Sequence, residues 1–292
     1  MDFNKEFKNK IELIDGWLNE ALKDKADAPK LIFDAMRYSV FAGGKRIRPV
    51  MMLSSFEMFK EETKSVAPFC VSLEMIHTYS LIHDDLPAMD NSPLRRGKPT
   101  NHMVFGEANA VLAGDGLLNF AFETMLESTA PSENVIKAMK YVSTCSGVTG
   151  MIGGQVIDID SENKEIDLKT LETLQIKKTG ALIAAAVVGG AILAGAEDEQ
   201  IKKLEEYSYL VGQAFQIKDD ILDCSSDAAV LGKPTGSDEE NHKNTYVSLL
   251  GLEKAEEILI EYTKRAKEIL SSFGEKCEFL MGMTDYLLNR KN

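Results

Sequence analysis

Apolar residues recur at steps of three or four through much of this chain, and that period commits it to helices with one buried stripe each. Phe3, Phe7, Ile11, Ile14 and Leu18 form the first such series. Leu31, Ala35 and Tyr38 repeat it, as do Leu204, Tyr207, Leu210, Val211, Ala214 and Phe215. Runs of β-branched residues bounded by hairpin turns are scarce, so no sheet is expected. Helix punctuation is plentiful: Asp27-Ala28-Pro29 and Pro131-Ser132-Glu133 each open a helix, and Gly43-Gly44 ends one. The most apolar run, Ala181 to Ala196, is shorter than the roughly 20 residues that span a bilayer. Its Ala and Gly content predicts a buried helix whose neighbours approach closely, and no membrane span is expected.

The chain has 292 residues, enough for one large domain or two small ones. No composition shift divides it, and no fixed repeat appears. One long polar segment, Ser225 to Thr245, carries Gly232, Pro234 and Gly236 and is expected to be a mobile flap. The N-terminus lacks the apolar stretch of a secretory signal. Cys70, Cys145, Cys224 and Cys277 form no close pair and read as thiols of a reducing cytoplasm. The formal net charge of −13 argues against a nucleic-acid partner. An acidic chain with an anionic partner must concentrate its positive charge locally or recruit cations.

Two aspartate clusters carry the chemistry. The first is His83-Asp84-Asp85-Leu86-Pro87-Ala88-Met89-Asp90, the second Asp219-Asp220-Ile221-Leu222-Asp223. On a helix, Asp219 and Asp223 share one face and repel, until a divalent cation reverses the sign. Asp84 and Asp90 stand about 240° apart on an ideal helix. They meet only if the helix is interrupted, and Pro87 supplies the reason. Hard oxygen donors of this kind suit Mg²⁺ that is also bound by substrate phosphates. Either cluster alone could be a solvated acidic face; two, each set in an apolar helix, are not explained that way.

Three basic groups complement them. Lys45, Arg46 and Arg48 stand at a helix start after Gly43-Gly44, where N–H groups and guanidinium forks favour anions. Arg95-Arg96-Gly97-Lys98 follows the first acidic cluster, and Lys177-Lys178-Thr179-Gly180 precedes the apolar helix. Each alone reads as a surface patch. A phosphate-rich substrate accounts for all of them together with the acids.

At these spacings the chain resembles the short-chain trans-isoprenyl diphosphate synthases, in order, from GGKRIRP to the C-terminal DYLLNR. SLIHDDLPAMD followed by LRRGKPT resembles the first aspartate-rich motif of the bacterial farnesyl diphosphate synthases, and GQAFQIKDDILD the second. The resemblance implies an all-α, single-domain bundle of long helices around a deep central cavity, paired as a homodimer. It implies condensation of isopentenyl diphosphate with dimethylallyl and geranyl diphosphate to farnesyl diphosphate, with Mg²⁺ as cofactor, about three ions per site. By the same resemblance, Asp84, Asp90 and Asp219 bind metal, with Asp85, Asp220 and Asp223 as further members of the motifs. Lys45, Arg48, His77 and Arg96 hold the isopentenyl diphosphate, and Arg95, Lys178 and Lys233 the allylic one. Thr179 and Gln216 line the place where the allylic cation forms, and with Lys178 they make up the catalytic group that the resemblance implies.

Product length rests on Tyr79 and Ser80, an aromatic floor beside a small residue in farnesyl-producing members. Tyr79 lies about 140° from Asp84 on an ideal helix, so ordinary core packing is the equal alternative on geometry. A geranylgeranyl diphosphate synthase is the neighbouring alternative. A non-catalytic subunit is the alternative of a different class, and it should have lost one aspartate motif. Asn91-Ser92-Pro93 after Asp90 depart from the further acids the family often carries there.

Overall fold

The computed structural model of the chain describes residues 1–225 and 244–288. Fourteen α-helices are found among them. They are α1 (Phe3–Ala21), α2 (Lys30–Val40), α3 (Ile47–Glu57), α4 (Ala67–Asp84), α5 (Asn101–Phe105), α6 (Glu107–Met125) and α7 (Ser132–Ser146). There follow α8 (Met151–Asp160), α9 (Leu168–Gln175), α10 (Ala181–Ala194), α11 (Asp198–Ser225), α12 (Tyr246–Leu250), α13 (Leu252–Ser271) and α14 (Glu278–Leu288). A π-helical turn, Ile176–Gly180, joins α9 to α10. The only strands among the described residues are β1 (Leu94–Arg95) and β2 (Lys98–Pro99), an antiparallel pair two residues long. The fold is all-α.

The periodic series become buried stripes. On α1 the buried residues are Phe7, Lys10, Ile14 and Leu18, and the helix is capped where the Asp2 side chain accepts from the Lys5 N–H. The predicted openings hold: Pro29 and Pro131 are the N-cap residues of α2 and α7. The apolar run becomes α10, buried from Ala181 to Leu193 and packed by α3, α7 and α11. Its continuity is greater than the sequence suggested. Helix runs without a break from Leu168 to Ala194, long and apolar enough to cross a membrane, yet 78% of its most apolar window lies inside the protein. It is a core helix.

Two glycine contacts set how closely the core helices approach. A Cβ on Gly190 of α10 would stand 2.3 Å from the Met52 carbonyl oxygen of α3. A Cβ on Gly212 of α11 would stand 2.8 Å from the Gly180 Cα. That second crossing draws α11 against the π-helical turn, two turns before Asp219.

Candidate active site

Helix α4 ends at Asp84, with Asp85 as its cap residue, before Pro87 is reached. The chain then turns back on the helix end. The Asp90 N–H donates to the Asp84 carbonyl at 2.9 Å, and the Ser92 N–H to that of Asp85 at 3.2 Å. Asn91 takes a left-handed φ of 48° to complete the turn. The interruption expected at Pro87 thus brings Asp90 beside Asp84. Burial raises the Asp84 carboxyl to about 6; Lys178 opposes the rise and the Asp90 charge adds to it.

The other motif aspartates have different surroundings. Asp85 is buried and accepts from Arg95 Nε on both oxygens, at 2.9 and 2.8 Å. Asp220 is buried and accepts the Tyr246 backbone N–H at 2.9 Å, which ties α11 to the start of α12. Asp219 and Asp223 lie one turn apart on α11, half-buried. Among the described residues no group of three His, Cys, Asp or Glu side chains stands together so as to hold a metal ion. The desolvated Asp84 carboxylate beside the Asp90 charge offers two hard oxygen donors, which fits Mg²⁺ that keeps water and phosphate as its remaining ligands.

The cationic side forms around His77. Its Nε2 lies 3.3 Å from Arg48 Nη1. Burial holds the His77 imidazole well below its ordinary pKa, and Arg48, Arg96, Arg95 and Arg46 push it the same way. It is a neutral histidine among guanidinium groups. Burial, with repulsion from Arg96, also lowers Arg48, although Glu74 opposes this. The Arg48 Nε is buried with no hydrogen-bond partner among the described residues. A buried donor of that kind on a cation is a standing cost that an anion removes.

The three cations of the α3 start have separate fates. Arg46, in the left-handed region at φ 49°, is buried and spends its guanidinium on Asp15 and Glu74, each at 2.8 Å. Lys45 is exposed, with its Nζ 5.7 Å from the Tyr286 ring centre. Arg48 alone of the three faces His77. The adjacent arginines of the hairpin are likewise divided. Arg96 and Gly97 form its turn with φ of 54° and 75°, the positive pair that tight hairpins require. Arg95 then reaches Asp85, while Arg96 donates to the Gly43 carbonyl. Gly43 and Gly44 hold φ of 114° and 134°, and a Cβ on Gly44 would meet Arg96 Nη1 at 2.6 Å. Gly44 makes room for the arginine. A pocket lined also by Tyr38, Ser39, Thr78 and Asn101 reaches the Asp85–Arg95 pair and Arg96.

Two residues that sequence reasoning passed over stand on α8. Gln155 Nε2 donates to Asp84 Oδ1, and Asp158 Oδ2 accepts from Lys178 Nζ. Gly154 lets α8 lie against the π-helical turn, since a Cβ there would stand 2.4 Å from the Lys178 backbone nitrogen. The available signal was Gln155 and Asp158 one turn apart after Gly153-Gly154, in a helix whose one other polar residue is the terminal Asp160. Thr179 shares the π-helical turn with Lys178, a geometry common at functional sites, and Gln216 stands half-buried on α11. Lys233, and most of the expected flap from Ser225 to Thr245, lie outside the described residues.

Tyr79 is buried, at 5% exposure, and its ring meets His83 edge-on with centres 5.7 Å apart. Its hydroxyl has no hydrogen-bond partner among the described residues. Burial, with the Asp84 charge added, raises it to about 12. The 140° separation on the helix therefore does not keep the phenol from the aspartate end. Ser80 Oγ donates to the His77 carbonyl at 2.8 Å.

The polyprenyl synthetase family model matches residues 29–277. A geranylgeranyl diphosphate synthase of Cyanophora paradoxa is 44% identical over 287 residues, covering 96% of this chain and 94% of the relative. A farnesyl diphosphate synthase of Bacillus subtilis is 43% identical over 270 residues, 91% of each chain. A solved FPP/GFPP synthase of Zymomonas mobilis superposes with a TM-score of 0.88 at 34% identity, covering 98% of this chain and 99% of its own. Matches that span nearly all of both partners leave one assignment: this chain belongs to the polyprenyl synthetase family, the trans-prenyltransferases.

Proposed function

We propose that this trans-prenyltransferase joins isopentenyl diphosphate to dimethylallyl and then geranyl diphosphate, and stops at farnesyl diphosphate. The observation that carries this is the cationic nest of Arg48, Arg96 and neutral His77, with the unpartnered Arg48 Nε, built on the helix that ends at Asp84. Arg95 links the two, since its charge acts on both His77 and Asp84. Two anionic substrates side by side suit such a pair of subsites.

In this scheme Arg48, Arg96 and Lys45 bind the isopentenyl diphosphate, and His77 offers an uncharged hydrogen bond. Arg95, Lys178 and Lys233 bind the allylic diphosphate and neutralise the charge that develops as its C–O bond breaks. Asp84, Asp90 and Asp219 would hold Mg²⁺, which supplies Lewis-acid stabilisation of the leaving group when bound. Thr179 and Gln216 line the space of the allylic cation. The isopentenyl double bond attacks that cation, and a proton leaves to the departing diphosphate, so no side chain need act as general base.

Farnesyl as product rests on Tyr79, a buried ring beside the aspartate end. Relatives of nearly equal identity carry both farnesyl and geranylgeranyl names, so identity does not choose between them. Tyr79→Ala is expected to shift the main product beyond C15, read by chromatography of the dephosphorylated alcohols. An unchanged chain length would return Tyr79 to ordinary core. The assay for the class is purified protein with Mg²⁺, isopentenyl diphosphate and geranyl diphosphate. A C15 product that disappears with chelator is the expected result. No condensation with dimethylallyl, geranyl or farnesyl starters would overturn the proposal.

A further inference from the structure

We infer that Gln155 is a positioning residue for the divalent-cation site, which aims the Asp84 carboxylate and presents a second oxygen of its own. The inference rests on the proposal that Asp84 holds metal, and it adds a residue outside both aspartate motifs.

Three observations carry it. First, the Gln155 amide donates through Nε2 to Asp84 Oδ1. The opposite orientation of the amide would set its oxygen against a carboxylate oxygen, so the chemistry of the partner decides which end faces Asp84. Second, the Gln155 Oε1 is buried and has no hydrogen-bond donor among the described residues. A buried amide oxygen without a donor carries an uncompensated desolvation cost, and a cation or its bound water removes it. Third, the helix that carries Gln155 is held in place beside it. Gly154 permits contact with the Lys177–Lys178 backbone, and Asp158, one turn on, takes the Lys178 ammonium.

The residue type is the physically apt one. Gln fixes Oδ1 through an N–H yet brings no charge, so Oδ2 and the remaining lone pair keep their full attraction for a cation. Lys or Arg at the same place would neutralise the carboxylate and repel the ion. Asp85 shows the contrast: its two oxygens both accept from Arg95. Of these adjacent acids, one is engaged by a cation of the protein and the other by a neutral amide. Outer partners of metal ligands commonly matter in this way, with losses of about 10–100-fold in affinity on removal.

The test is Mn²⁺ binding to the full chain in the presence of inorganic diphosphate, read from the electron paramagnetic resonance of free Mn²⁺. It compares wild type, Gln155→Leu, Asp84→Asn and the double variant. Gln155→Leu is expected to weaken Mn²⁺ roughly tenfold or more. The combined loss in the double variant is expected to fall short of the sum of the two single losses, because part of the Gln155 effect passes through Asp84. Unchanged affinity in Gln155→Leu, or losses that simply add, would overturn the inference. Wild-type protein that takes up no Mn²⁺ would instead overturn the metal reading of the aspartates beneath it. Should Gln155→Leu melt well below wild type, Gln155→Asn, whose amide is one methylene too short to reach, is measured against the same outcomes.

Discussion

Asp84→Asn is expected to lower kcat about 10³-fold, equivalent to about 4 kcal/mol of transition-state stabilisation. The carboxylate sits where α4 ends and the chain folds back, with Asp90 brought alongside. Asn keeps the size and the turn but removes the charge that a divalent cation requires. Folding should not suffer. A carboxyl whose folded-state pKa lies above its unfolded value is ionised at neutral pH against a penalty. That penalty is absent below the unfolded pKa and complete once the pH passes the folded value, here about 6. Asn escapes it, so the melting temperature at neutral pH should equal or exceed that of wild type. Steady-state kinetics with saturating Mg²⁺, paired with a thermal melt, checks both halves. A variant that keeps a tenth of its activity would remove Asp84 from the metal site.

The second large effect is structural, and it contrasts one substitution at two places. Gly190→Ala would place a Cβ 2.3 Å from the Met52 carbonyl, with the Phe56 nitrogen at 3.2 Å. Those atoms are backbone of α3 and cannot turn aside, so α10 and α3 must separate within the core. A cost of about 3 kcal/mol follows from overpacking of this kind. Gly16→Ala, on the exposed face of α1, meets nothing within 4 Å and should stabilise by about 0.5–1 kcal/mol. Melting temperatures should therefore move in opposite directions, with Gly190→Ala down by roughly 5–10 °C. Equal shifts would mean that the close approach of α3 and α10 is not what the glycine serves.

Much of this molecule follows from the chain order. The stripe Phe7, Ile14, Leu18 and the Ala/Gly run of α10 each announce a helix and its buried face, because periodicity and residue size are local properties. Asp84 and Asp90 could be joined on paper as well, since a proline three residues past Asp84 must end the helix. The basic groups were visible as groups, and their residues in chain order sufficed to suggest the family.

Tertiary structure alone decided how neighbours in sequence divide their work. Arg46 and Arg48 look alike in the chain, yet one is consumed by Asp15 and Glu74 while the other faces His77. Arg95 and Arg96 part because the hairpin turn passes through two positive-φ residues between the strands. Gln155 and Asp158 gain their meaning only from what α8 packs against, through Gly154 and the π-helical turn. The physical reason is one of range. Propensity, period and capping act within a few residues, whereas the partner of a charged or polar side chain is set by which distant backbone comes near enough to share its burial.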